Sequence, residues 1–142
     1  MTEIVPVANT NQLNRTADVV FLHGLGGDAR VTLGAKRLEG DFDLDAFWPR
    51  WLGEDFPDVG VWSVQYNAAA SKWKGSSMPI GDRATSVLDL LHVSGLGVRP
   101  LVFITHSMGG LVAKQMLQDL RTVGPIRAHL LDPVAQRRLR QA

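Results

Sequence analysis

Val-Phe-Ile-Thr-His-Ser-Met-Gly-Gly-Leu-Val-Ala-Lys-Gln, residues 102–115, decides the fold. It opens with an apolar run from Leu101 to Ile104, turns sharply around Ser107, and then places Val112, Met116 and Leu120 at helical spacing. Strand, serine, paired glycines and helix is the layout of a nucleophile elbow, usually written G-x-S-x-G. A serine hydroxyl is a weak nucleophile until a base takes its proton. Its attack on a carbonyl builds an oxyanion that needs donors already aimed at it. At a helix entrance the unclaimed N–H of Met108 and the positive end of the helix dipole meet that second need. Gly109, having no Cβ, lets helix and strand approach closely. Thr105 departs from the pattern by standing where its first glycine belongs. Alone, Ser-x-Gly-Gly also fits an ordinary strand-to-helix loop.

Working outward, a second informative stretch lies upstream. Val19 to Leu22 is a short β-rich run, apolar at successive positions, as in a strand buried on both faces. It ends in His23-Gly24-Leu25-Gly26-Gly27. One reading makes this an oxyanion loop, with the Leu25 N–H donating beside that of Met108. A second takes Gly24-x-Gly26-x-x-Ala29 as a dinucleotide fingerprint, with Asp43 or Asp45 as the ribose acid. The dinucleotide reading needs a helix N-terminus just after the glycines. Residues 30–40 are poor helix material, with glycines at 34 and 40, so this reading ranks below the oxyanion loop and below a plain turn.

The remaining segments supply the frame. Residues 1–17 are polar and read as a loose segment, with a short strand over 4–7. Asp41-Phe-Asp43-Leu-Asp45 lacks the glycine and glutamate of a calcium loop, having Ala46 and Leu52 there, so no metal site is expected. Phe47-Trp-Pro-Arg-Trp-Leu52 starts a helix with Pro49 in its first turn, and Trp48 or Trp51 is expected to pack on the sheet. A strand follows over 59–66, then a loop over 67–81 that carries Trp73. Asp82 is expected as the N-cap of a helix bearing Ala84, Val87, Leu88 and Leu91, ended by Gly95 and Gly97. His92 sits near that C-terminus, a structural position. A last strand is expected over 126–131, before Asp132-Pro133 and a short basic tail.

Alternating strands and helices indicate an α/β domain with an open, mostly parallel sheet and flanking helices. Ligands bind such sheets beyond the carboxyl ends of the strands, where both His23-Gly24 and Ser107 would lie. Two independent signals therefore predict one site. The chain has 142 residues, 45% of them apolar and 20% charged, which suits one globular domain over 18–134 with a tail at 135–142. A net charge of +1 argues against nucleic acid as a partner. No apolar run is long enough for a stable membrane span, and the first residues lack the pattern of a signal peptide. With no cysteine there is no thiolate or disulfide chemistry, and a cytoplasmic location is expected.

Residues 19–29, 47–52 and 100–115 together resemble the α/β-hydrolase fold, and within it lipase-like serine esterases of the "serine active site containing" type. The resemblance covers roughly residues 18–122. It implies Ser107 as nucleophile, Leu25 and Met108 as backbone oxyanion donors within the His23-Gly24 and Met108-Gly109 segments, and a small-molecule or lipid ester as substrate, with no cofactor. Triad order in this fold is serine, acid, histidine. Asp132 is the candidate acid. His129 precedes it, so it breaks the order and is not expected to be the base. The sequence thus reads as the front portion of a hydrolase, weak or inactive alone. A complementing partner, a larger-protein context, self-association through the 126–131 edge, and a non-catalytic binding module remain open.

Overall fold

A computed structural model describes residues 1–30, 33, 35–36, 42–43, 46–66 and 79–123. The elements in chain order are β1 (Glu3–Ala8), β2 (Ala17–Leu22), β3 (Ala35–Lys36), β4 (Phe42–Asp43), α1 (Trp48–Asp55), β5 (Val59–Gln65), α2 (Ile80–Val93), β6 (Leu101–Thr105) and α3 (Met108–Val123). Four strands form one mixed sheet in the order β1-β5-β2-β6, and β3 and β4 pair as a small antiparallel ribbon.

The sheet is built around β2. Its sequence, Ala-Asp-Val-Val-Phe-Leu, is buried from Asp18 to Leu22. It pairs in parallel with β5 on one side, Val19 opposite Val61, and with β6 on the other, Val20 opposite Phe103. Successive side chains alternate faces, so one strand feeds two cores. Val20 and Leu22 join Val64, Tyr66, Val112 and Met116 under α2 and α3. Val19 and Phe21 join Val61 on the opposite face, with Leu52 of α1 packed against them. Each such Val, Leu or Phe contributes roughly 1.5–3 kcal/mol when fully buried, enough to fix the register of the strand.

Several expectations are revised. The strand expected over 4–7 runs from Glu3 to Ala8 and pairs antiparallel with β5, Ile4 opposite Val64. This part of the segment read as loose is therefore a sheet edge. Pro6 is tolerated there because an edge strand can spare a donor, and the register slips between Pro6 and Ala8. α2 begins at Ile80 with Pro79 at its N-cap, so Asp82 lies in the first turn instead of capping, and Gly81 is helical. The helix still ends as expected: Gly95 and Gly97 follow it with φ of 72° and 99°. On α1 the buried residues are Pro49 and Gly53, not the tryptophans. A Cβ on Gly53 would lie 2.3 Å from that of Ala8, so the helix approaches β1 through its glycine side. Trp48 meets Phe21 edge-on at 4.9 Å but is 37% exposed, and Trp51 is 50% exposed. Asp132, His129, the strand expected over 126–131, the tail, and residues 67–78 lie outside the described residues. No helix among the described residues is long and apolar enough to cross a membrane.

Candidate active site

β2 and β6 run side by side in parallel and end together, Leu22 opposite Thr105. Their exits therefore emerge next to each other. The His106 N–H still bonds the Leu22 carbonyl, at 3.0 Å, and the chain then breaks from the sheet. Ser107 has φ of 53°, in the left-handed region that a serine rarely adopts. Two tight turns flank it, Gly109 N–H to His106 O and Gly110 N–H to Ser107 O, each 3.0 Å. α3 starts at Met108, immediately after the turn. Ser107 is exposed, while Met108 and Gly109 are buried. A serine on a sharp bend between strand and helix is what the paired-glycine pattern predicts.

The glycines explain how closely the pieces meet. A Cβ on Gly109 would stand 2.5 Å from the Leu22 carbonyl oxygen and 2.8 Å from that of His23. Only glycine lets α3 rest on the end of β2. A Cβ on Gly24 would lie 2.8 Å from the Cβ of Ser107 and 3.1 Å from the His106 carbonyl oxygen. The upstream glycine turn and the serine are thus in contact. The departure at Thr105 is accommodated from the other side: its hydroxyl faces Gly110, 3.4 Å from where a Cβ would be.

Within residues 24–27 the chain turns on itself, Gly27 N–H bonding Gly24 O at 3.1 Å, with Gly26 at φ of 65°. Among the described residues neither the Leu25 N–H nor the Met108 N–H is given to an acceptor. Leu25 is 55% exposed. Among the described residues no helix starts directly after these glycines. Ala29 is strapped to β5 instead, its N–H on Gln65 Oε1 at 2.7 Å and its carbonyl on the Ser63 hydroxyl at 2.8 Å. The helix terminus that a dinucleotide phosphate would need is absent from residues 23–30.

His23 does not present its ring to the site. It is buried and stacks on Tyr66, centroids 4.4 Å apart and planes 14° from parallel. Nδ1 sits 3.0 Å from the Gly24 carbonyl, and Nε2 lies 3.5 Å from the Tyr66 N–H. One neutral tautomer, with the proton on Nδ1, serves both contacts. Burial lowers its pKa below 6.5, outweighing the Gly24 carbonyl and the Asp28 charge, which act the other way. Tyr66 in turn donates its hydroxyl to the His23 carbonyl. Burial pushes that phenol up to about 12, despite the opposing charge of Arg83.

Tyr66 and Arg83 are the residues that motif reading missed. Arg83 is 5% exposed, on the core face of α2 with Ala84, Val87 and Leu91. Its Nη1 points at the Met108 sulfur, 3.0 Å away. The signal was available: Arg83, Val87 and Leu91 share the i, i+4, i+8 stripe that marks a buried helix face.

The other histidines are placed elsewhere. His106 is exposed and sets its Nδ1 3.2 Å from where a Cβ on Gly24 would be. His92, in the last turn of α2, lines a cavity of about 770 Å³ with Leu88, Leu101, Phe103 and Asp119. Ser107 is not among the residues lining that cavity. Among the described residues no side chain hydrogen-bonds the Ser107 hydroxyl, and no cluster of three metal-ligating groups occurs.

No family model matches the chain. Among curated proteins it is similar to protein SERAC1 of Homo sapiens, 35% identical over 120 residues, which are 75% of this chain and 18% of that protein. SERAC1 of Danio rerio is 37% identical over 131 residues, 80% of this chain and 20% of that protein. The chain thus spans roughly a fifth of the length of these relatives. Among solved structures it superposes on the NocB thioesterase domain in covalent complex with a fluorophosphonate nocardicin G analog. That match has a TM-score of 0.55 and 16% identity over 87% of this chain and 44% of that one. A structure from a study of carboxylesterases of the thaumarchaeon Nitrososphaera gargenis gives a TM-score of 0.53 and 14% identity, over 83% and 36%. With the strand order, the serine turn and these likenesses together, the chain has the α/β-hydrolase fold.

Proposed function

We propose that this chain carries the nucleophile and oxyanion donors of a serine hydrolase acting on carboxylic esters, of lipids or of other acyl compounds. One observation carries the reading: Ser107 is exposed at φ of 53°, on the bend between β6 and α3, against the Gly24 turn. Backbone strain of this kind costs about 1–3 kcal/mol and persists where the surroundings over-determine it, often at functional sites. The similarity to thioesterase and carboxylesterase domains supports the same reaction class.

In this reading the Ser107 oxygen attacks the ester carbonyl as a base removes its proton. The carbonyl oxygen becomes an oxyanion between the N–H groups of Leu25 and Met108. The bond to the alcohol oxygen breaks, that oxygen takes the proton, and the acyl group stays on Ser107. Water then attacks the acyl carbon by the same route and releases the acid. His23 acts through its backbone; with its ring buried and both nitrogens engaged, it is not the base. Asp132 remains the proposed acid. No histidine of this chain is assigned as the base; a longer chain or a partner is proposed to supply it, and the SERAC1 relatives extend far beyond the matched region.

Turnover of nitrophenyl esters of graded acyl length by the full chain tests this. Hydrolysis should be slow, since no base is assigned in this chain, and should vanish in Ser107→Ala, while His92→Ala and His129→Ala keep it. Hydrolysis surviving in Ser107→Ala would refute the assignment. A folded protein with no turnover of any ester and no reaction of Ser107 with a fluorophosphonate would favour the second reading, a binding module that retains the fold. That alternative draws on one specific observation, the absence of any side-chain partner for the Ser107 hydroxyl among the described residues.

A further inference from the structure

Arg83 is a buried cation whose surroundings do not neutralise it. Its side chain lies under α3, with Nη1 on the Met108 sulfur and Nε without a hydrogen-bond partner. No carboxylate pairs with it among the described residues. Its charge is felt at Tyr66, the residue whose hydroxyl holds the His23 carbonyl. Arg83 thus touches the residue after Ser107, and its charge reaches the residue that anchors the Gly24 turn. A thioether is a weak acceptor, so this contact hardly offsets the desolvation of a guanidinium. A buried cation left this way is destabilising.

We infer that Arg83 is a positioning residue for the oxyanion site, holding Met108 from behind and adding uncancelled positive potential where the carbonyl oxygen gains charge. The inference deepens the reading of Ser107 as nucleophile and rests on it. A fixed charge in the buried layer behind the donors favours the charged transition state over the neutral ester. A residue serving packing alone would favour stability instead, and the two roles predict opposite results.

The test measures the rate of Ser107 labelling by a fluorophosphonate, and the melting temperature, in the full chain and in Arg83→Met and Arg83→Lys. Arg83→Met should melt at the same temperature or higher, because it replaces an unpaired charge with an apolar chain of similar length. Its labelling should slow on the order of tenfold, a smaller loss than removal of a direct oxyanion donor causes. Arg83→Lys, which keeps the charge, should recover most of the rate. Unchanged labelling in Arg83→Met overturns the inference alone. So does a lower melting temperature with labelling lost equally in both variants, which is the mark of packing. No labelling of the unaltered protein overturns the nucleophile reading and this inference with it.

Discussion

Two residues other than glycine hold a left-handed backbone among the described residues, Asn9 with φ of 56° and Ser107 with φ of 53°. They sit in opposite regions of the molecule, and the chain treats them differently. Asn9 follows β1, and its Nδ2 donates to the carbonyls of Gly53, Phe56 and Val59 at 2.8, 3.3 and 3.1 Å. Its side chain ties β1, α1 and β5 into one corner. Asparagine is also one of the few residues that tolerate this conformation. Ser107 has neither advantage. It is β-region by habit, it is exposed, and among the described residues no group bonds its hydroxyl. Strain at Asn9 is offset locally by what its side chain does. Strain at Ser107 accompanies the close approach of Gly24 beside it and of Gly109 to the end of β2, and the residue is exposed. The first pattern is that of a structural staple, and the second is the one that the proposed nucleophile needs.

The polar groups beneath the two ends of β2 repeat the contrast. At the amino end Asp18 is buried and takes the Arg15 guanidinium at 2.9 Å and the Trp62 indole N–H at 3.0 Å. Gly60 makes space for this pair, since a Cβ there would lie 2.3 Å from the Asp18 oxygen. Arg15 also donates to the Thr10 and Gln12 carbonyls, both at 2.7 Å. At the carboxyl end Arg83 has a sulfur and no carboxylate among the described residues. Among the described residues the buried charge at the amino end is paired with an opposite one, although Asp18 Oδ2 lacks a hydrogen-bond partner, and Arg83 at the carboxyl end has no paired carboxylate.

The largest expected effect breaks the carboxyl end outright. Gly109→Ala places a Cβ against two backbone oxygens that cannot move aside, so α3 must lift from β2. Chemical denaturation should show a loss of about 3 kcal/mol, and Ser107 should stop reacting. A loss below a few tenths would mean that the close approach of helix to strand is not what bends the chain at Ser107.

A matched pair of substitutions sharpens the comparison. Glycine relieves a left-handed backbone at either position. Asn9→Gly also discards three hydrogen bonds and should destabilise by about 1–2 kcal/mol. Ser107→Gly discards nothing structural and should stabilise by about 0.5–1 kcal/mol, less the entropy that glycine adds to the unfolded chain. It should abolish reaction while doing so, the trade expected of a strained catalytic residue. Equal changes of one sign at both positions would erase the distinction drawn above.

The smallest expected effect is on pH dependence, and it comes from the carboxyl end alone. His23 is held neutral, with its folded pKa below 6.5. As pH falls past 6.5 the unfolded chain binds a proton that the folded one refuses, so stability declines toward acid. Tyr66 acts in the opposite range. Its folded pKa is about 12, above the ordinary value of 10.0, so the unfolded chain ionises first and stability declines as pH rises above 10. Melting temperatures across pH should fall on both sides, and Tyr66→Phe should remove the alkaline fall only.

The parts legible in the sequence were those governed by local period. The runs at 19–22, 59–65 and 101–105 form strands, and the spacing of Val87 with Leu91 and of Val112 with Met116 marks two helices. The fold class followed from their alternation. Less legible were pairings between distant segments. Nothing local says that β5 lies between β1 and β2, because that order is decided by burial on both faces. The tryptophans of α1 were half legible: Trp48 meets Phe21 of β2 edge-on, as expected of one of them, yet the helix approaches β1 through Gly53 and both rings stay exposed. Ser107, Gly24 and Gly109 were legible because a tight bend and a close approach restrict residue type. Arg83 and Tyr66 were not, since a lone charge on an apolar stripe and a tyrosine after a strand acquire meaning only from what they touch.

Mapping the adduct formed when the full chain meets a fluorophosphonate tests the central claim most directly. Peptide mass analysis should find the phosphonyl group on Ser107 and nowhere else, with no adduct after denaturation or in Ser107→Ala. A native, folded protein that takes no label, or takes it equally on other serines, would contradict the account.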